Sequence, residues 1–143
     1  MVRGVDSTFL IQLEVAEHAG HAQAQSKQSS LLAAGDTFAL APQVLTEFVH
    51  IVTDPRRFVA PLAIDQAVSR ASDWWQAAEV AQVLPGGSTV DLFVQWMAQH
   101  QLGRKRILDT MLAATYFSNG ISSIITTNAR DFAVFGCFDV VTP

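Results

Sequence analysis

The sequence has a single cysteine, and charged residues make up only 15% of its 143 positions. One thiol, Cys137, excludes an internal disulfide framework and is typical of proteins kept in a reducing compartment. No apolar run approaches the ~20 residues that a membrane-spanning helix needs. The first residues, MVRGVD, contain neither a long apolar segment nor a small-residue cleavage site, so we expect no signal peptide. These absences predict a cytoplasmic protein without a membrane partner.

Basic residues are also scarce. Nine Lys and Arg stand against 13 Asp and Glu, which gives a net charge of −4 and a pI of about 5.4. This balance argues against a nonspecific basic nucleic-acid binder, because Lys and Arg normally make the phosphate contacts. It does not exclude an enzyme that reaches phosphates through metal ions.

Hydrophobic side chains, in contrast, are abundant. They make up half of the chain, and the mean hydropathy is +0.25, so a disordered segment is excluded. A chain of 143 residues is large enough to bury the core of one domain. The sequence shows no internal repeat, low-complexity tract or linker, and we therefore predict a single domain over residues 1–143.

Short apolar runs alternate with helical patterns along the whole chain. Strands are predicted within residues 1–5, 37–41, 80–84, 122–126 and 137–143. Helices are predicted within residues 9–16, 21–34, 42–53, 64–78, 88–102 and 108–119. The run Ser88-Thr89-Val90-Asp91 has the form of a capping box that opens its helix. Since no hairpin turn separates the strands, the alternation predicts an α/β fold with a central parallel sheet of four or five strands flanked by helices.

Four acidic residues stand at or near the ends of these elements. Asp6 ends the first strand, Asp109 begins a helix, and Asp131 follows the strand at 122–126, as does Asn128. Glu47 borders the apolar face of the helix at 42–53. Ligands of parallel sheets bind beyond the carboxyl ends of the strands. We therefore expect the four carboxylates to lie around one cleft.

Each acid taken alone also has a structural explanation. Glu47 could pair with a cation at the core edge, the helix dipole could favour Asp109, Asp6 could form a turn, and Asp131 could cap a short helix. Converging carboxylates without a His or Cys ligand motif nevertheless favour a hard divalent cation such as Mg²⁺ or Mn²⁺. Such an ion activates water and neutralises charge that builds on a phosphodiester.

Four blocks of the sequence resemble, in this order, the motifs of PIN-domain proteins. The blocks are VDSTFL, LTEFVHIVTDPRRF, ILDTMLAATYFSNG and IITTNARDF. The similarity is to VapC-type toxins of toxin–antitoxin pairs, and it covers essentially the whole chain. It implies a three-layer PIN-like fold and a metal-dependent endoribonuclease that cleaves RNA phosphodiesters by metal-activated water. It also implies a homodimer and a cognate antitoxin that holds the enzyme inactive.

The resemblance assigns roles to particular residues. The expected catalytic and metal-binding residues are Asp6, Glu47, Asp109 and Asp131, with Mg²⁺ as the cofactor and Mn²⁺ as a substitute. The expected supporting residues are Ser7, Thr127 and Asn128.

The chain departs from the family pattern in two blocks. The first reads Asp6-Ser7-Thr8 where Asp-Thr-Asn or Asp-Thr-Ser is more frequent, and it keeps a hydroxyl beside the acid. In the fourth block, either Asn128 or Asp131 could face the metal.

A basic run lies just before Asp109. Its members, Arg104, Lys105 and Arg106, are the best candidates for binding RNA phosphates, although a solvated loop is the alternative. Arg56 and Arg57 form a weaker second candidate.

Two other functions stay open at this point. One is a PIN-fold nuclease that acts on DNA or in RNA processing without an antitoxin, and the other is a noncatalytic interaction module of the same fold. The presence of all four acids favours an enzyme over a scaffold, and the small size of the chain favours the toxin. A dehalogenase-type phosphatase is disfavoured because Thr8 stands where that chemistry needs a second Asp.

Overall fold

The computed structural model describes all residues from Met1 to Pro143. Its strands are β1 (Val2–Val5), β2 (Thr37–Leu40), β3 (Val80–Gln82), β4 (Ser123–Ile125) and β5 (Asp139–Val141). Its α-helices are α1 (Ser7–Glu14), α2 (His21–Ala33), α3 (Pro42–Val52), α4 (Ile64–Gln76), α5 (Gly87–Gln99), α6 (Ile107–Ser118) and α7 (Ala129–Ala133). A 3-10 turn, Arg104–Arg106, precedes α6. No helix combines the length and the apolarity needed to span a bilayer.

All five strands form one parallel sheet in the order β3-β2-β1-β4-β5. From β1 the chain builds β2 and β3 on one side and then β4 and β5 on the other, so the strand order reverses between β1 and β4. In open α/β sheets this reversal leaves a crevice at the carboxyl ends of the two strands. The register places Val5 opposite Ile125, and the Asp6 amide donates to the Ile125 carbonyl at 3.0 Å. The predicted parallel α/β sheet is confirmed.

The helices form two layers around the sheet. Helices α1 to α4 pack against one another, and α5 to α7 form a second group in which α5 and α6 make the largest contact. Two groups are expected, because right-handed crossovers that move in opposite directions from β1 place their helices on opposite faces. The central strands are buried on both sides, and Phe38, Ala39 and Leu40 of β2 are each 0% exposed. The result is the predicted three-layer arrangement.

Helix α6 is fixed to the centre of the sheet by Tyr116. The tyrosine hydroxyl lies 2.6 Å from the carbonyl oxygen of Val5 and 3.1 Å from that of Ala39, so it can donate to the ends of β1 and β2. Gly4 gives the aromatic ring its space, since a Cβ there would lie 2.8 Å from Tyr116 Cδ2. This contact sets the position of α6, and hence of Asp109 in its first turn, relative to Asp6.

The start of α5 differs from its prediction. The helix begins at Gly87, and the capping bond runs from the Gly86 amide to the Thr89 hydroxyl at 2.9 Å, so the predicted box of Ser88 and Asp91 is wrong. Thr89 is buried, and its hydroxyl also lies 2.7 Å from Ser118 Oγ on α6. A tertiary contact between two helices therefore determines which hydroxyl caps α5.

Candidate active site

Asp6 lies at the point where the strand order reverses, and it is only 4% exposed. Its Oδ1 accepts a hydrogen bond from the Ser7 amide at 2.8 Å. Its Oδ2 accepts from the hydroxyls of Thr8, at 2.9 Å, and Thr126, at 2.7 Å. No basic side chain forms an ion pair with Asp6. The carboxylate is therefore held firmly by neutral donors but has no cation to balance its charge.

This environment works against ionisation of Asp6. Burial raises the pKa of the carboxyl, the bonds from Thr126, Thr8 and Ser7 lower it, and the charge of Asp131 raises it further, with a net rise. Removing a carboxylate from water without a positive partner is costly. A cation bound beside Asp6 would remove much of that cost.

Thr8 and Thr126, which sequence reasoning did not assign to the site, join Asp6 to the loop after β4. The Thr127 amide donates to the Thr8 hydroxyl at 3.1 Å, and the Asn128 amide donates to the Thr126 hydroxyl at 3.0 Å. Thr126 could have been found from its place, because a buried Thr at the end of the strand next to Asp6 needs a polar partner.

The predicted supporting residues take part through their backbone amides. The Ser7 amide binds Asp6, and those of Thr127 and Asn128 bind the two threonine hydroxyls. The side chain of Ser7 is 1% exposed, and its hydroxyl has no hydrogen-bond partner. Thr127 and Asn128 are exposed. Ser7 thus offers a spare polar atom at the site.

Asp109 is half-buried in the first turn of α6. Burial raises the pKa of its carboxyl to about 6, and the charges of Asp6 and Asp131 add to the rise. Arg106 partly opposes that rise, and Glu47 contributes to it. Since all three other acids act on Asp109, the fold places the four acidic residues within electrostatic reach of one another.

Glu47 reaches the same region from α3. Although the residue is exposed on average, nearby protein shields the carboxyl enough to raise its pKa, and the charge of Asp6 adds to the rise. Ser7, Arg57 and His50 favour the charged form of Glu47. The Ser7 hydroxyl is close enough for that effect but does not form a hydrogen bond of ordinary geometry. Glu47 and Asp109 line opposite walls of one cleft between α3 and α6.

Asp131 is engaged by a basic residue. Arg106 Nη1 lies 3.1 Å from Asp131 Oδ1, and the same guanidinium donates to the backbone carbonyl of Asp131. Both side chains are partly exposed, at 24% and 31%. Arg106 therefore binds the chain itself, whereas Arg104 and Lys105 are exposed in the 3-10 turn.

The donor atoms at the site suit a hard divalent cation, but the acidic side chains do not form a complete coordination site as they stand. The site has oxygen donors, an excess of negative charge, a buried Asp6 without a cation and a spare Ser7 hydroxyl. No group of three or more His, Cys, Asp or Glu side chains lies close enough together to hold a metal ion as it stands. Metal binding by these acids stays a prediction.

The sheet order and the acidic crevice at the strand reversal define a PIN-like α/β fold. No protein-family model matches the sequence, and no curated protein matches it. Solved structures do match over the full length. The Mycobacterium tuberculosis toxin VapC20, described as cleaving the sarcin-ricin loop, has a TM-score of 0.71 at 18% identity, with 100% of each chain covered.

Two toxin–antitoxin complexes are also similar to this chain. VapBC2 from Rickettsia felis, bound to a promoter DNA fragment, gives a TM-score of 0.71 at 11% identity and covers 100% of this chain and 99% of the other. A toxin–antitoxin complex from Klebsiella pneumoniae gives 0.65 at 18% identity and covers 99% and 97%. The fold of this chain is that of the VapC-type PIN-domain toxins.

Proposed function

We propose that this chain is the toxin of a toxin–antitoxin pair and a Mg²⁺- or Mn²⁺-dependent endoribonuclease. One observation carries the proposal: Asp6 is buried at the strand reversal with no cation beside it, and Asp131, Asp109 and Glu47 lie within reach of its charge. Neighbouring acids raise the pKa of Asp6, Glu47 and Asp109 at the expected ligand position of the fold, and a divalent cation would stabilise such a cluster of carboxylates.

The similar structures support the same function. VapC20 is described as a toxin that cleaves the sarcin-ricin loop, and two of the other matches are a VapBC complex and a toxin–antitoxin complex. These are properties of those proteins at 11–18% identity. For this chain, the RNA substrate and the cognate antitoxin are proposals.

Asp6, Asp109 and Glu47 would hold the cation, and Asp131 would border it. When bound, the ion would lower the pKa of a water nucleophile and neutralise charge on the phosphodiester. Thr8 and Thr126 orient Asp6 through Oδ2, so the carboxylate does not need to reorganise. The buried Ser7 hydroxyl, which favours the charged form of Glu47, would help to orient that carboxylate.

The surface beside the acids suits association with other proteins. Leu108, directly before Asp109, is 76% exposed, and Ile107 is 39% exposed. Exposed aliphatic side chains next to a functional site are typical of interfaces. We propose a homodimer with an interface of about 1,600 Å². We also propose inhibition by an antitoxin segment that places a cationic residue among the acids, in a protein that works in the cytoplasm.

The enzymatic proposal is tested by incubating total cellular RNA with the wild type, Asp109→Asn and the control Asp91→Asn. Asp91 is an exposed acid on α5 that makes no ion pair. Each protein is assayed with Mg²⁺, with Mn²⁺ and with EDTA. We expect cleavage by the wild type and by Asp91→Asn only when a metal is present, and none by Asp109→Asn. Equal cleavage by Asp109→Asn, or cleavage that persists in EDTA, would contradict the proposal.

A further inference from the structure

Two clefts flank the acidic residues, one on each side of α3. The first lies between α3 and α6, has a volume of about 460 Å³, and contains Glu47 and Asp109. Its apolar lining comes from Val44, Ile51, Leu108, Met111 and Leu112. Both the volume and the mostly apolar lining suit a small organic group such as a nucleobase.

The second cleft lies between α1 and the end of α3, with a volume of about 440 Å³. Thr8 and Thr127, which belong to the hydrogen-bond network around Asp6, form one of its walls. Phe58 and His18 supply two rings elsewhere in its lining. Aromatic side chains of this kind provide surfaces on which unpaired bases stack.

Arg57 belongs to the lining of both clefts. Its side chain is 61% exposed and makes no hydrogen bond, and its one ion pair is long, with Arg57 Nε 3.7 Å from Asp54 Oδ2. Arg56 binds Asp54 more closely, at 3.2 Å. Arg57 is therefore an available guanidinium at the junction of two clefts, and it is near enough to Glu47 to favour the charged form of that acid.

The basic residues favoured by sequence are less suitable. Arg106 is bound to Asp131, and the lining of neither cleft includes Arg104 or Lys105. Because the chain carries a net charge of −4, a cation placed beside the acids is needed to attract a phosphate there.

We propose that Arg57 is the residue that binds a phosphate of the RNA substrate where the strand crosses α3 between the two clefts. This rests on the nuclease function proposed above. One base occupies the cleft between α3 and α6, the next nucleotide lies in the cleft lined by Phe58, and Arg57 binds a phosphate between them. Only unpaired nucleotides can turn their bases into two separate clefts, so a continuous duplex is excluded as a substrate. Arginine suits the central position because its planar group binds phosphate with two parallel hydrogen bonds.

The test measures binding, in EDTA so that cleavage does not interfere. A fluorescent single-stranded oligouridylate is titrated with the wild type, Arg57→Gln and the matched control Arg56→Gln, and binding is followed by anisotropy. We expect Arg57→Gln to weaken binding about tenfold and to reduce the slope of log K against log salt by about 0.7, the share of one phosphate contact. Arg56→Gln should stay within about twofold of the wild type, because its guanidinium is directed to Asp54.

A second variant tests the base cleft. Thr46 is exposed, lines the cleft, and bonds only within its own helix, so Thr46→Phe should fill the space without unfolding the protein. We expect single-strand binding to fall about tenfold while the melting temperature stays close to that of the wild type.

Three results would overturn the inference. They are equal effects of Arg57→Gln and Arg56→Gln, duplex RNA bound as tightly as the single strand, and no single-strand binding by the wild type. None of these results tests the proposed nuclease function. The separate cleavage assay on Asp109→Asn tests that function directly. Metal-dependent RNA cleavage with normal binding by Arg57→Gln would leave the nuclease standing and remove Arg57 from the substrate path.

Discussion

The hydroxyl of Tyr116 lies 2.6 Å from the carbonyl oxygen of Val5, the residue directly before Asp6. Tyr116 is two helical turns after Asp109 on α6, so one buried hydrogen bond connects the elements that carry two of the candidate ligands. Burial of the phenol strongly raises its pKa, so it stays protonated and remains a donor. The distance between the two carboxylates depends on this contact.

Replacing Tyr116 with Phe keeps the ring beside Gly4 and removes only the hydroxyl. We expect the protein to stay folded and to lose about 1–3 kcal/mol of unfolding free energy, because two buried carbonyls lose a donor. The affinity for Mn²⁺ should also fall several-fold as α6 gains freedom relative to β1. Urea unfolding and calorimetric Mn²⁺ titration measure the two effects. Loss of stability with unchanged Mn²⁺ affinity would show that the contact is structural alone.

Thr126→Val tests the threonine network around Asp6. The substitution keeps the shape, but it removes the donor to Asp6 Oδ2 and the acceptor of the Asn128 amide. Since bonds to charged groups are worth about 1.5–3 kcal/mol, we expect a loss of that order and a further rise in the pKa of Asp6. The control is Thr110→Val, another fully buried Thr, whose hydroxyl bonds only to the Arg106 carbonyl four residues earlier in the chain. Urea unfolding at pH 7 measures the loss of unfolding free energy in both variants. Equal losses would contradict a special role for Thr126.

Asp109→Asn should change stability in a pH-dependent way when no metal is present. The folded protein raises the pKa of Asp109 from 3.8 to about 6, so it binds a proton more tightly than the unfolded chain does. Ionising this group therefore costs stability as the pH rises from about 4 to about 6, and the full cost is present at pH 7.

We expect Asp109→Asn to melt a few degrees above the wild type at pH 7 in EDTA and to lose that advantage near pH 4. Thermal unfolding at the two pH values measures the difference. An advantage that grew toward low pH would contradict the raised pKa. With Mn²⁺ added at pH 7, the order should reverse, because the wild type alone gains stability from a tightly bound ion.

Much of the fold follows from local sequence signals. Short apolar runs and helical spacing predicted strands and helices that occur in the structure. The boundaries predicted at Gly35, Gly120 and Pro42 are also observed. The helix α7 was not among the predicted elements. It is a five-residue turn of helix after β4, too short for a periodic pattern.

The site was less accessible from sequence than the fold. The predicted positions of Asp6 at a strand end and of Asp109 at a helix start indicate that the two acids approach each other. This placement depends only on the parallel topology of the sheet. The ion pair between Asp131 and Arg106 could not be predicted from the sequence. It joins residues 25 positions apart and depends on how the 3-10 turn packs against α7. The basic run before Asp109 therefore indicated a phosphate site, whereas we infer from the lining of the two clefts that Arg57 is the better placed cation.

The most direct test of a metal site at Asp6 is calorimetric titration of Mn²⁺ into the wild type, Asp6→Asn and the control Asp91→Asn at pH 7. Asp6 is the buried carboxylate at the strand reversal, whereas Asp91 is exposed on α5. We expect saturable binding by the wild type and by Asp91→Asn, and at least a tenfold loss of affinity in a folded Asp6→Asn. Equal Mn²⁺ binding by all three proteins, or no binding by the wild type, would contradict a metal centre at this site.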